Sequence, residues 1–171
     1  MNNLIRLDGG QARLVADDPW QLPGADEPLD GSGPWLLPLA TWRARQASAV
    51  LAGEQASGDG VLLAPEDEVE GLLPWLGVLP LIAIDFPGFR DGRGYSQAYL
   101  LRTRLGWRGE LRAVGDVLRD QLSHMRQCGF DAFAVRADKS VEDALKGLAG
   151  VSVLYGRSAI EPRPLFRRFS R

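Results

Sequence analysis

Arg90 and Arg93 flank Asp91-Gly92 and lead into Gly94-Tyr95-Ser96, directly after an apolar run at residues 81–84 that ends in Asp85. Two guanidinium groups can fork onto an oxyanion, and a glycine-rich loop that opens a helix offers backbone N–H donors at the positive helix end. The loop therefore suits a phosphate, a sulfite-like group or a carboxylate. The same residues also admit a purely internal use, with the glycines shaping a turn and the arginines pairing with Asp85, Asp91 or Asp116. Asp85 and Asp116 follow adjacent predicted strands, and two carboxylates on one rim can divide acid and base roles or hold magnesium with water. Asp116 is equally placed to cap the helix after it. Gln121, next to Leu122, brings an amide to the inward face of that helix, where it needs a partner such as a strand carbonyl. Gly92-x-Gly94 is not a dinucleotide fingerprint, because Gln97 stands where the third glycine is required and Glu110 precedes its strand.

The elements that must position these residues follow from periodicity. Apolar runs at 61–64, 81–84, 111–114, 133–135 and 151–154 alternate with helical patterns, which predicts an α/β fold with a mostly parallel sheet and crossover helices. Helices are expected from Pro65 to about Leu73, over 96–105, after Asp116 to Gly129, and over 140–148. An open doubly wound sheet and a partial, barrel-like one both remain open. In either, the carboxyl ends of the strands share one rim that gathers Asp85, residues 90–96, Asp116, Gln121, Arg136 and Tyr155. Ahead of this core, residues 4–7 and 12–15 around Asp8-Gly9-Gly10 read as a small N-terminal β-hairpin. The prolines at 19, 23, 28 and 34 then predict an extended connection. Residues 35–39 suggest a short strand, and Thr41 a cap for a helix through Leu51. The chain thus reads as one domain: hairpin and Pro/Gly-rich extension over 1–34, α/β core over 35–160, basic tail over 161–171.

Cys128 and His124 are single representatives of their types among 171 residues. One polypeptide with these counts supplies neither the four thiolates of an iron–sulfur cluster nor the Cys/His set of structural zinc, and no internal disulfide. The expectation is a chain with no metal and no cofactor of its own. No apolar run approaches the ~20 residues that span a bilayer, and Met1-Asn2-Asn3 leads into Leu4 without a long apolar stretch, which predicts no membrane contact and a cytoplasmic location. Residues 1–79 hold 12 acidic against 4 basic side chains and residues 80–171 hold 10 against 16, net −8 and +6. The two halves either pair with each other or leave a basic face for an anionic ligand or an acidic partner. Nucleic acid is disfavoured, since no recognition module accompanies the charge. The tail, with Arg163, Phe166, Arg167 and Arg168, reads as an extended basic and aromatic arm, a candidate for partner binding.

Four stretches are more specific: Leu81-Ile82-Ala83-Ile84-Asp85-Phe86-Pro87, Asp91-Gly92-Arg93-Gly94-Tyr95-Ser96, the segment from Gly109 through Gln121, and Arg126 through Phe133. Together they resemble a bacterial domain-of-unknown-function family, number 934, whose members are encoded beside assimilatory sulfite reductase and labelled as oxidoreductases of sulfite reduction. The resemblance implies an accessory protein of sulfur assimilation with sulfite reductase as partner. A single cysteine argues that the chain is not the iron–sulfur component that moves the electrons. The alternative, from the residues alone, is a small-molecule enzyme or binding domain acting on an anionic substrate at the rim.

Overall fold

Alternating apolar residues in the first fifteen positions pair off as predicted. Strand β1 (Leu4–Asp8) and strand β2 (Gln11–Val15) form an antiparallel hairpin. Its two turn residues, Gly9 and Gly10, have φ of 55° and 87°, the left-handed geometry that matches the twist of the flanking strands. The structure, a computed structural model, describes residues 1–24, 29, 34–51, 58–148 and 156–168. The strand expected over 151–154, and Tyr155 with it, lie outside these residues.

Five parallel strands follow: β3 (Leu36–Pro38), β4 (Gly60–Leu63), β5 (Leu81–Phe86), β6 (Glu110–Gly115) and β7 (Ala132–Ala134). With the hairpin they make one seven-stranded sheet in the order β2-β1-β7-β6-β5-β4-β3, β1 running antiparallel to β7. The parallel strands lie in chain order with no reversal. Right-handed crossovers then put every connection on the same side. Accordingly one large cluster joins Ile5, Leu37, Val61, Ile82, Ile84, Leu111 and Phe133 of the sheet to residues of all the long helices. These helices are α1 (Leu39–Leu51), α2 (Arg93–Thr103), α3 (Leu122–Cys128) and α4 (Val141–Leu148), contributing Trp42, Leu101, Met125 and Leu148 among others. Each large side chain fully buried there stabilises the fold by roughly 1.5–3 kcal/mol. A doubly wound sheet needs helices on both faces, so the winding is the barrel-like one.

On the opposite face lie residues 16–24, the first part of the connection that leaves edge strand β2. Trp20 and Met1 pack there against Leu36, Leu81, Ala83 and Val114. A Cβ at Gly60 would lie 2.7 Å from Leu36 Cδ2 and 3.2 Å from Trp20 Cζ3, so the glycine lets the indole down onto the sheet. One polar anchor is buried beneath this strap. Arg112 of β6, fully excluded from solvent, donates from Nη1 and Nη2 to Asp18 at 2.8 and 2.9 Å and from Nε and Nη2 to Glu110 at 2.8 and 2.6 Å. The amino group of Met1 donates to the Asp18 carboxylate at 3.1 Å. Burial works against the charge on Asp18, but Arg112 and that amine together hold its carboxyl below the ordinary value.

Several boundaries differ from expectation for local reasons. Asp67 accepts a hydrogen bond from Ala64 N and donates its own N–H to Ala64 O, so the acids 66–68 make a turn. The helical segment after them is 3-10, Val69–Trp75, with Pro74 inside it and Leu73 58% exposed. Helix α1 begins at Leu39 and encloses Thr41. Helix α2 begins three residues earlier than predicted, since Asp91 accepts from Arg93 N. In α4, which starts where expected, Ser140 Oγ caps the first turn by accepting from Asp143 N. The tail is not an extended arm: Leu165–Arg168 form a short helix, α5. Among the described residues no helix is long and apolar enough to cross a membrane.

Candidate functional site

The carboxyl rim is built from the exits of β5, β6 and β7. After β5 the chain turns through Pro87-Gly88 and enters α2 with Gly94 pressed on the strand; a Cβ there would lie 2.7 Å from Phe86 Cζ. The glycine at 94 thus serves close helix–strand packing. Arg93 closes on its own neighbour, Nε to Asp91 Oδ1 at 3.0 Å and Nη2 to Asp91 Oδ2 at 2.6 Å. Those hydrogen bonds lower the Asp91 carboxyl and raise the Arg93 guanidinium from their usual values. Backbone donors are also in use: Asp91 N serves Gly88 O, Tyr95 N serves Gly92 O, and Phe89 N serves Asp116 Oδ2 at 2.9 Å. Gly92 and Ser96 remain exposed on the first turn. Arg90 is exposed and, among the described residues, makes no hydrogen bond or ion pair.

Asp116 ties the three exits together instead of capping a helix. Its N–H donates to Phe86 O at 2.7 Å, Oδ2 accepts from Phe89 N, and Oδ1 accepts from Arg136 Nη1 at 2.6 Å. Arg136 in turn gives Nε and Nη2 to Asp138 at 2.6 and 3.0 Å. These bonds push the Asp138 carboxyl down to about 2 and the Arg136 guanidinium up, Asp138 contributing more than Asp116. The next helical segment is a 3-10 turn, Arg119–Gln121, capped at Leu118. There Gln121 Oε1 accepts from Leu118 N at 2.7 Å, so the oxygen of the buried amide serves its own turn. The Tyr95 phenol is raised chiefly by burial, with Gln121 acting against the shift. Tyr95 stacks 5.1 Å from Phe86 and 4.7 Å from His124, on the helix-covered side of the sheet. His124 Nε2 lies 3.9 Å from Cys128 Sγ, and burial pushes that thiol up to about 11, which leaves it unreactive near neutral pH.

Asp85 projects from the helix-free face. Gly115, at φ 90°, lies under it: a Cβ there would come 2.5 Å from Asp85 Oδ1 and Phe86 O. Burial raises this carboxyl, with smaller pushes from Asp91 and Glu66. The structure thus brings Asp85, Asp91 and the exit of β6 to one rim, and closes Arg93, Asp116 and Arg136 into ion pairs within it. Among the described residues no group of three or more His, Cys, Asp or Glu is placed to hold a metal ion.

The tail residues sit apart from the rim. Arg168 Nε donates to Arg163 O at 2.8 Å, both arginines lie within 4 Å of Glu161, and Arg167 stands 5.9 Å over the Phe166 ring, which is 65% exposed. Sequence reasoning missed the Arg112–Asp18 anchor and the clamp of Gln97, whose Nε2 donates to Ala64 O at 2.8 Å and Asp67 O at 2.9 Å. A signal existed for Arg112: a charged residue inside an apolar strand, with Glu110 two positions back on the same face.

A family model described as a bacterial protein of unknown function (DUF934) matches residues 60–166. No curated protein and no solved structure matches the chain.

Proposed function

We propose that this chain, which belongs to the DUF934 family of bacterial proteins of unknown function, is a non-catalytic accessory protein of assimilatory sulfite reduction that docks on the sulfite reductase hemoprotein in the cytoplasm. The observation that carries the non-catalytic part is the internal pairing of the rim. Arg93 and Arg136 are committed to Asp91, Asp116 and Asp138, so the charged groups hold loops in place and do not converge on a substrate. What the rim turns outward is Phe89, 52% exposed, beside Arg90, which makes no ion pair among the described residues. Aromatic and arginine side chains of this kind anchor protein interfaces. The sulfite-reduction context rests on the sequence resemblance alone. A second reading, an enzyme or binding domain for a small anionic substrate, is favoured by Arg90 together with the raised carboxyl of Asp85.

The test is co-purification from native lysate of a sulfite-assimilating bacterium, with the chain as bait and the reductase as prey, in rising salt. The reductase is expected to co-elute at low ionic strength and to be lost as salt screens the contact, and a Phe89→Ala/Arg90→Ala chain is expected not to retain it. Undiminished retention by that variant would overturn the docking surface. Turnover of sulfite or another anion by the isolated chain would replace the first reading by the second.

A further inference from the structure

The opposite end of the sheet, at the amino ends of the parallel strands, carries a second set of charges that the proposed function does not use. Arg102, Arg108, Arg126, Gly129, Phe130 and Asp131 line a cavity of about 380 Å³, within the size range of small-molecule sites.

Its floor is rigid and electrically spent. Arg102 donates from Nε to Gly129 O at 2.8 Å, from Nη1 to Trp107 O at 2.9 Å and Gly109 O at 2.8 Å, and from Nη2 to Asp131 Oδ2 at 2.7 Å. Asp131 Oδ1 accepts from Leu111 N at 2.7 Å. Gly129 is required for this arrangement, since its φ is 109° and a Cβ would lie 2.4 Å from Arg102 Cγ. Burial lowers the Arg102 guanidinium, and the nearby charge of Arg108 adds to that effect while Asp131 opposes it.

The walls differ from the floor. Arg108 and Arg126 make no hydrogen bond or ion pair among the described residues. Arg126 Nη2 stands 3.8 Å from where a Cβ on Gly10 would be, which holds it beside the hairpin turn. With Arg102 offset by Asp131, the cavity keeps two positive charges that no carboxylate among the described residues pairs with. Leu7, Ala159 and Ile160 supply an apolar side, Ile160 being 50% exposed.

We propose that this cavity binds a small dianion with an apolar body, a phosphate monoester in chemical terms, with Arg108 and Arg126 on the charged head and Leu7 and Ile160 against the carbon. The charge selects the class: a monoester carries close to two negative charges at neutral pH, a carboxylate only one. Concavity selects a small molecule over an acidic peptide, which needs a longer track. Two forked guanidinium groups, beside a single carboxylate, Asp131, whose oxygens already accept from Arg102 and Leu111 N, suit such a head group.

The test is calorimetric titration of the full chain with phenyl phosphate, inorganic phosphate and sodium chloride at matched ionic strength. Saturable binding is expected for phenyl phosphate, more weakly for inorganic phosphate, and not for chloride. Arg108→Ala and Arg126→Ala should each weaken it on the order of tenfold or more, the worth of one charged hydrogen bond. Lys146→Ala, exposed on α4 and outside the cavity lining, should leave it unchanged. Circular dichroism and the urea midpoint establish that the variants fold, and if one does not, the other carries the same reading. The proposal is overturned if phenyl phosphate gives no saturable heat, if both folded variants bind it as the parent does, or if an oligoglutamate peptide occupies the site and phenyl phosphate does not displace it.

Discussion

The two faces of the sheet are held by different physics. Beneath α1 to α4, the buried apolar residues are distributed along four helices, and no one of them carries the packing alone. On the other face a short strap lies over four buried strand residues and is fixed by one buried arginine with its two carboxylates. A distributed interface degrades gradually, whereas an anchored one fails at its anchor. Buried ion pairs add little net stability over apolar packing, but removing one partner leaves an uncompensated charge in low dielectric.

The largest effect is therefore expected from Asp18→Ala, which takes from the buried Arg112 one of its two carboxylates and leaves it with Glu110 alone. Urea denaturation should show a loss of about 3–5 kcal/mol, whereas the apolar pair Asp18→Leu/Arg112→Met should recover most of it. If the double variant is as unstable as the single one, the anchor acts through geometry and the contrast between the faces fails. A smaller loss, about 1–3 kcal/mol, is expected for Gly60→Ala, because the added methyl meets Leu36, Trp20 and the Leu81 carbonyl at once. Tryptophan fluorescence should red-shift as Trp20 is lifted; an unshifted spectrum would mean the strap does not rest on this glycine.

The smallest effect is on acidification. Asp18 has a folded-state carboxyl below its unfolded value, so its contribution is fully present above about pH 4 and is lost as pH falls through the folded value. Asp85 and Asp131 shift the other way, chiefly through burial, and gain on protonation. The stability difference between parent and Asp18→Ala removes those terms. It should shrink as pH falls below 4 and stay level between pH 5 and 7. A difference independent of pH would assign the anchor to packing alone.

The strands and their direction were legible because the apolar runs at 61–64, 81–84, 111–114 and 133–135 alternate with helical patterns, and Gly9-Gly10 announces its turn chemically. Single-sided winding was not legible, since periodicity says which residues point inward but not which side of the sheet is inward. The helix starts moved for reasons within two or three residues, Asp91 with Arg93 and Asp67 with Ala64, which sequence inspection can reach. At the rim, the Arg93–Asp91 pair was within reach because its members are two apart. The Asp116–Arg136 pair joins residues 20 apart through two strand exits, and that contact exists only once the sheet does. The Asp18–Arg112 anchor spans 94 positions and depends on a strap whose prolines announce extension without saying what lies beneath.

That span has a kinetic meaning. Strands β2 and β3 are neighbours in the chain but opposite edges of the sheet, so the surface the strap covers is completed by strands formed from residues 60–134. The strap can dock only on a sheet already assembled. Its loop-closure cost falls late, after the transition state has formed most of the remaining structure. Interactions formed that late govern the rate of opening more than the rate of folding. The buried arginine therefore acts as a latch on the lifetime of the native state, and a chain that loses it would fold at nearly the parent's speed and come apart much sooner.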